Sequence, residues 1–308
     1  MLDALTGFVV VGVAIVVGYI LGRIDLLGAH ARPVLSRLTF FVLAPFLLFV
    51  VLSEADVRSL FSALLPVSAA TAVVIMVIYL VIARWVWHRG VGETLIGALS
   101  AGQVNSNNIG IPLSLYLLGS AAYPAPVILL QLLIFTPISM TILESIVSGR
   151  ASLLRSIRRT ISNPIVIGSA TGTVVSVLGI ELPAMVRDPA ELIANACVPI
   201  ILISYGISLH GQRVLGASSG RRRDVILASA LKLVAMPMVA WLLATFVFQL
   251  SSADILIIVV LAALPTAQNV FNYSQRYDIG ETISRDTVFV TTIGCVPILI
   301  LITTVLGT

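Results

Sequence analysis

Two short polar stretches interrupt long apolar runs of this chain, and their side chains could bind a small solute. The first stretch carries Asn105, Asn107, Asn108, Gly110 and Pro112. The second carries Pro265, Gln268, Asn269 and Asn272, so an Asn-x-x-Asn pattern occurs in both. Asn and Gln amides bond to solutes or to backbone groups, proline disfavours a continuous helix, and glycine tolerates unusual dihedral angles. The pattern predicts two broken helices with a binding site at the breaks. Two kinked helices joined by Asn–Asn hydrogen bonds are the alternative.

The composition places these stretches in a membrane protein. Of the 308 residues, 58% are hydrophobic and 10% are charged, whereas a soluble domain has about 25% charged residues. This excludes a soluble enzyme and a disordered or collagen-like chain. The isoelectric point near 9.4 does not indicate nucleic-acid binding, because the arginines lie in short gaps between apolar runs. The run Arg221–Arg223 is interpreted as a topology signal, with a contact to anionic lipid as the alternative.

Ten apolar windows are long enough to cross a hydrocarbon core about 30 Å thick. They cover residues 5–22, 34–52, 60–83, 94–119, 124–147, 164–181, 189–209, 225–248, 255–275 and 286–306. Of the 18 basic residues, 15 lie in the odd-numbered loops, and only Arg58 and Arg187 lie in the even-numbered loops. Cytoplasmic loops carry the excess of positive charge. We therefore expect a multi-pass protein of the cell (inner) membrane with both termini outside the cytoplasm.

Ten spans divide into two halves of five, and an odd number per half inverts the second half in the membrane. We predict an all-α fold of ten transmembrane helices in two inverted five-helix repeats, with spans four and nine broken. The repeats cover residues 1–147 and 164–308, and a cytoplasmic linker covers 148–163. The pairs Gly18/Gly22 and Gly168/Gly172 lie in the first span of each half, which favours close helix packing or a dimer face.

Four motifs occur in order along the ten spans. They are Asn105…Gly110-Ile111-Pro112-Leu113, Asn163-Pro164, Lys232 followed by Pro237, and Leu264-Pro265…Asn269…Gln275-Arg276-Tyr277. With these motifs the chain resembles the auxin efflux carrier family, within the larger group that includes the bile acid:sodium symporters, over essentially its whole length. The resemblance implies a scaffold subdomain from spans one, two, six and seven and a transport subdomain from the other six. It also implies a crossing of spans four and nine near the bilayer midplane, a small organic anion as the substrate, and a homodimer.

The substrate-binding residues are predicted to be the nine residues of the two polar stretches together with Lys232 in span eight. The two breaks present half-helix N-termini, which bind anions, and half-helix C-termini, which would suit a cation. No acidic residue lies at the predicted midplane to hold a cation. We therefore predict a small carboxylate as the substrate of a secondary transporter that works by alternating access. Lys232 either snorkels to the cytoplasm or attracts the anion or replaces a coupling cation.

No cofactor or metal site is predicted, since Cys197 and Cys295 lie in apolar runs and His30, His88 and His210 lie in loops. Coupling to sodium, to protons or to the membrane potential stays open, because Glu144 near the end of span five is interpreted as an interface charge. The expected partners are the anion and membrane lipids, without nucleic acid. An intramembrane enzyme would need a catalytic pair of histidines with a glutamate, and a channel would need rings of carbonyls or charges. A sensor would need a soluble output domain. These are the alternatives to a transporter.

Overall fold

A computed structural model of the protein describes residues 2–28, 30–149, 152–209 and 220–306. In that part of the chain the structure is helical, with turns, short linkers and one isolated β-bridge. The helices of the first half are α1 (Leu2–Arg23), α2 (Ala31–Leu38), α3 (Ala44–Glu54), α4 (Val57–Val81), α5 (Val91–Gly102), α6 (Ile111–Leu118), α7 (Ala125–Leu130), α8 (Thr136–Ser148) and α9 (Leu153–Ile161). Those of the second half are α10 (Pro164–Leu178), α11 (Ala184–Asn195), α12 (Cys197–Leu209), α13 (Arg222–Ala230), α14 (Met236–Leu242), α15 (Ser252–Ala262), α16 (Gln268–Tyr277) and α17 (Glu281–Leu306).

Six helical stretches of the described residues are long and apolar enough to cross a membrane. They are Ala31–Glu54, Leu64–Val86, Ala125–Val147, Ala184–Ser208, Arg222–Val247 and Glu281–Leu306. Three further apolar helices are shorter, namely Val9–Arg23, Pro164–Leu178 and Ser252–Ala262. The all-α, multi-pass character is confirmed, whereas the count of ten spans and the inverted repeat stay predictions. Of the loop residues used to predict orientation, Arg150 and Arg213 lie outside the described residues, as does His210.

The described chain forms two compact units. Unit 1 comprises residues 1–61, 107–129 and 158–212, and unit 2 comprises residues 62–106, 130–157 and 213–308. The boundary at residues 106 and 107 falls within the first polar stretch. Asn105 therefore belongs to unit 2, whereas Asn107, Asn108, Gly110 and Pro112 belong to unit 1.

In unit 1, glycines let two helix pairs approach closely. A Cβ atom at Gly18 of α1 would lie 2.2 Å from the carbonyl oxygen of Ile203 in α12. A Cβ atom at Gly168 of α10 would lie 2.4 Å from the carbonyl oxygen of Pro45 in α3, and one at Gly172 would lie equally close to Phe49. Contacts this short leave no space for a side chain. These small residues therefore serve helix packing within one chain, the first of the two predicted roles.

In unit 2, α5, α8 and α16 share an apolar core. Ile96 and Leu99 of α5 pack with Leu143 of α8 and with Val270 and Tyr273 of α16. All five side chains are buried. The core fixes α16 from one side and leaves its opposite side available for other contacts.

Ion pairs hold one end of unit 2 together. The fully buried carboxylate of Asp224 in α13 accepts bonds from Nη2 and Nε of Arg89 at 2.7 and 3.1 Å. Tyr79 of α4 donates to the same carboxylate, and Arg221 pairs with Glu93 in the first turn of α5. The hydrogen bonds to Asp224 raise the pKa of Arg89 above its usual value. A buried carboxylate is tolerated only when it is paired, so Arg89 and Asp224 fix the entry to α5 against the start of α13.

α4 and α14 end in the same way. Each continues into a five-residue π-helical turn, Ile82–Val86 after α4 and Leu243–Val247 after α14. Each turn is followed by a residue in the left-handed region, His88 with φ 54° and Gln249 with φ 50°. Each chain segment then starts the next helix, α5 or α15. This local structure therefore occurs twice, once in each half of the sequence.

Candidate functional site: paired helix breaks

Both polar stretches interrupt a helix, as the sequence predicts. α5 ends at Gly102, where Gln103 turns to extended dihedral angles (φ −91°, ψ 137°). α15 ends at Ala262, and α16 begins only at Gln268. The linkers 103–105 and 263–267 are therefore the two breaks, and both lie in unit 2.

The two breaks pair with each other. Val104 and Thr266 form the antiparallel β-bridge. The Asn105 N–H donates to the Pro265 carbonyl at 2.8 Å, and the Ala267 N–H donates to the Gln103 carbonyl at 3.1 Å. Backbone groups inside a membrane need partners within the protein. The bridge supplies them reciprocally and so stabilises the non-helical backbone of both linkers.

A side chain from a third helix completes each break. Gln131 accepts a bond from the Val104 N–H and donates to the Val104 carbonyl, both at 3.1 Å, and also donates to the Ser106 hydroxyl at 2.8 Å. Thr291 of α17 accepts a bond from the Thr266 N–H at 3.0 Å. Neither Gln131 nor Thr291 was among the residues predicted from sequence. The available signal for Gln131 was its position as the only amide within the apolar run 124–135.

The amides around the breaks differ in exposure. Gln103 and Asn105 are buried, Gln268 is partly buried, and Asn269 and Asn272 are exposed on α16. The Nε2 group of Gln103 has no hydrogen-bond partner among the described residues. A buried donor without a partner is uncommon in folded proteins. Gln103 is therefore a candidate ligand-binding residue at the paired breaks, and it too is missing from the residues predicted from sequence.

The predicted residues of unit 1 have helical conformations, with Asn107, Asn108 and Gly110 in the π-helical turn Ser106–Gly110 and Pro112 in α6. Asn107 donates to the Asn108 side chain at 3.1 Å. Gly110 has φ −64° and ψ −45°, so the expectation that it uses glycine's special dihedral freedom is wrong. Pro112 lies in the first turn of α6, which continues directly from the π-helical turn. Pro112 therefore does not cause the break, which lies several residues before it.

Lys232 lies next to the end of α15, where the second break begins. Its side chain is fully buried, so of the alternatives considered for Lys232, snorkelling to the cytoplasm is wrong. Its ammonium donates to the carbonyl of Ala262, the last residue of α15, at 2.8 Å, and it lies 2.9 Å from the sulfur of Met236. The C-terminal end of a helix carries partial negative charge. Lys232 thus caps α15 where that helix stops.

The chain is similar to known proteins over most of its length. Residues 4–303 match the family model described as "Membrane transport protein". The chain is also similar to a protein of Rhizobium meliloti (strain 1021) that carries the name "Putative malonate transporter". The two are 25% identical over 286 residues, which cover 91% of this chain and 88% of that protein.

Proposed function

Since the chain belongs to the membrane transport protein family, the family of the auxin efflux carriers, we propose that it is a secondary transporter that moves a small organic carboxylate by alternating access. The observation that carries the proposal is the reciprocal pairing of the two breaks. Because Gln131, Thr291 and the opposite break already bond the linker backbone, the side chains of Asn269 and Asn272 are not needed to hold it. They are therefore available to bind a solute.

A dianionic carboxylate of the size of malonate is the proposed substrate. The similarity to the Rhizobium protein supports this class. So does the N-terminus of α16, since helix N-termini favour anions and Asn269 offers an amide donor there. In the described residues no group of three or more His, Cys, Asp or Glu side chains could hold a metal ion. We assign no residue to a coupling ion.

We further propose ten spans in two inverted repeats, with the arginine-rich loops in the cytoplasm. The recurrence of the π-helical turn and left-handed residue before α5 and before α15 supports a structural repeat. The antiparallel pairing of Val104 with Thr266 supports it too, because two segments related by a two-fold axis would run antiparallel where they meet on that axis. Cysteines placed at Ser53 and Ser156 should be labelled by an impermeant reagent from opposite sides. Labelling of both from one side would contradict this topology.

A channel and an intramembrane enzyme are the competing functions. The match to a transport family favours a transporter over an enzyme. Against a channel, the linkers at the crossing bond to one another and do not form a ring of free carbonyls, which an ion filter uses. Substrate counterflow distinguishes the two. A transporter accelerates labelled uptake when unlabelled substrate is inside the vesicle, whereas a channel does not.

The proposal is tested by uptake of labelled malonate into proteoliposomes. We expect saturable uptake, with the neutral diamide competing at least about tenfold more weakly, or about 1.4 kcal/mol. Asn269→Ala and Asn105→Ala should each abolish uptake. Asn195→Ala, which removes an exposed amide at the end of α11, is the matched control and should retain it. Equal affinity for acid and diamide would overturn the anion proposal, and full uptake in both crossing variants would overturn the site.

A further inference from the structure

α16 has two chemically different faces. Its buried face carries Val270 and Tyr273, which pack on the core of α5 and α8. Polar bonds add to this packing, since the Tyr273 and Thr136 hydroxyls lie 2.9 Å apart and the Ser274 and Ser284 hydroxyls lie 2.6 Å apart. α16 is thus fixed in rotation about its own axis. The direction of its opposite face is therefore fixed as well.

That other face is almost entirely polar and is accessible. Its residues are Gln268, Asn269, Asn272, Gln275 and Arg276, of which all but the partly buried Gln268 are exposed. Asn269, Asn272 and Arg276 follow one another at the three- and four-residue spacing of a single helical stripe. The predicted span nine covers α16 as far as Gln275, just before Arg276, and hydrocarbon does not accommodate exposed amides. The stripe therefore contacts water.

Arg276 has no carboxylate partner among the described residues, unlike three other arginines of unit 2. Arg89, Arg221 and Arg285 each pair with a carboxylate. No carboxylate of the described residues lies within 4.0 Å of the Arg276 guanidinium. The guanidinium lies over the ring of Tyr277, 5.7 Å from the ring centroid. Its charge is therefore not neutralised by an ion pair. Seven residues of helix separate the Cα atoms of Arg276 and Asn269 by about 10 Å along the axis.

We propose that the polar face of α16 lines an aqueous path to the crossing, and that Arg276 is a specificity-determining residue that attracts dianions into this path. The inference rests on the proposed function for its substrate class. Because two turns of helix separate Arg276 from Asn269, we assign Arg276 a long-range role and not a direct bond to a diacid that is held by Asn269. It acts through its field, which raises the local concentration of anions, of a dianion more than of a monoanion, and weakens as salt screens it.

The first test needs no substrate. Cysteine replaces Gln275, and its modification rate is measured with an anionic and with a trimethylammonium methanethiosulfonate reagent. The native Cys197 and Cys295 are buried and give the background. We expect rapid modification by both reagents and a rate ratio that favours the anionic one. Arg276→Gln should lower that ratio by roughly threefold or more at low salt, whereas Arg276→Lys should keep it.

Arg223→Gln is the matched control, because it removes one exposed charge from unit 2 at the start of α13. It should leave the ratio unchanged. Absence of modification would mean that the stripe is not in water, and an unchanged ratio in Arg276→Gln would mean that Arg276 does not set the local field. Either result overturns the inference whether or not malonate is transported.

The second test compares malonate with its monomethyl ester in the transport assay. Arg276→Gln should raise KM for malonate about tenfold at low salt, which corresponds to about 1.4 kcal/mol, with a smaller rise for the monoanion and little change in kcat. The difference should shrink at high salt. Equal losses of kcat in Arg276→Gln and Arg276→Lys would indicate a structural role and overturn the inference. Absence of malonate uptake in the unmodified protein, with the thiol result intact, would instead contradict the proposed substrate.

Discussion

The two helix breaks of unit 2 use the same backbone pairing but end their first half-helices differently. α15 ends at Ala262, whose carbonyl accepts a bond from the buried ammonium of Lys232. α5 ends at Gly102, where a Cβ atom would lie 2.3 Å from Cγ of Met76 and 3.0 Å from the carbonyl oxygen of Ala72. One half-helix end is thus stabilised by charge, and the other is closed by packing. The half-helices that lead into two paired breaks can therefore end in different ways, provided that the backbone groups of both linkers have hydrogen-bond partners.

Because of this difference, the two breaks should be sensitive to different kinds of substitution. The break of span nine depends on one charged side chain, which is expensive to bury, and it leads directly into the polar face of α16. The break of span four depends on the fit of Met76 against a residue without a side chain. We expect charge-changing substitutions to act through the first and volume-changing substitutions through the second.

The largest effect is expected from Lys232→Met, which keeps the length of the side chain and removes its charge. The last carbonyls of α15 then lose their capping donor at the crossing. We expect malonate uptake to fall at least about tenfold, corresponding to about 1.4 kcal/mol, and the melting temperature to fall. Uptake and thermal unfolding in the same detergent preparation measure the two effects.

Lys232→Arg is the companion variant, since it retains the charge with a larger head group. Because the site is fully buried, it should fold less well than the unmodified protein and yet retain more uptake than Lys232→Met. Unchanged uptake in Lys232→Met would show that the charge behind α15 has no function, and the contrast between the two breaks would then be one of packing alone.

A smaller effect is expected from the side chains that complete the breaks. Gln131→Leu leaves the N–H of Val104 unpaired and removes one of the two donors to the Val104 carbonyl and the donor to the Ser106 hydroxyl, whereas Thr291→Val leaves only the N–H of Thr266 unpaired. An unsatisfied buried group costs about 1–3 kcal/mol. Gln131→Leu should therefore lower the melting temperature more than Thr291→Val, and the order should also hold for uptake.

The opposite order would mean that the bond to the Thr266 N–H contributes more to the stability of the paired breaks than the bonds of Gln131 do. A double variant sharpens the comparison. Because both side chains support one bridge, the two losses should not add. Full additivity would indicate that the breaks are stabilised independently.

The sequence predicts the helical class, the two breaks and their amide-rich composition, because polar residues and prolines inside apolar runs are local signals. It does not predict Gln131 or Thr291 as supports, since their role depends on which helices become neighbours at the crossing. The burial of Lys232 has the same cause. From sequence it lies close enough to a span end to snorkel, and only its packing beside Ala262 decides otherwise.

Local interpretation also misplaced the cause of the first break. Gly110 and Pro112 are the strongest helix-breaking residue types in that stretch, yet they occupy the start of α6. The linker 103–105 contains neither Gly nor Pro. It is extended because Pro265 and Ala267 offer bonding partners from the other break. Tertiary pairing thus overrides local propensity at this position, as it does for most β-type pairing.

The smallest effect is expected at the packed end of α5. Gly102→Ala should destabilise the protein, because overpacking costs about 1–3 kcal/mol and the gain in helix propensity of Ala over Gly is only about 1 kcal/mol. Met76→Ala removes the Cγ atom that the new methyl group would meet. In that background Gly102→Ala should become neutral or stabilising, so the double variant should be more stable than the sum of the single changes predicts. Thermal unfolding of the four proteins measures this coupling. If Gly102→Ala destabilises equally in both backgrounds, the close contact with the Ala72 carbonyl limits the site, and Met76 does not close this break.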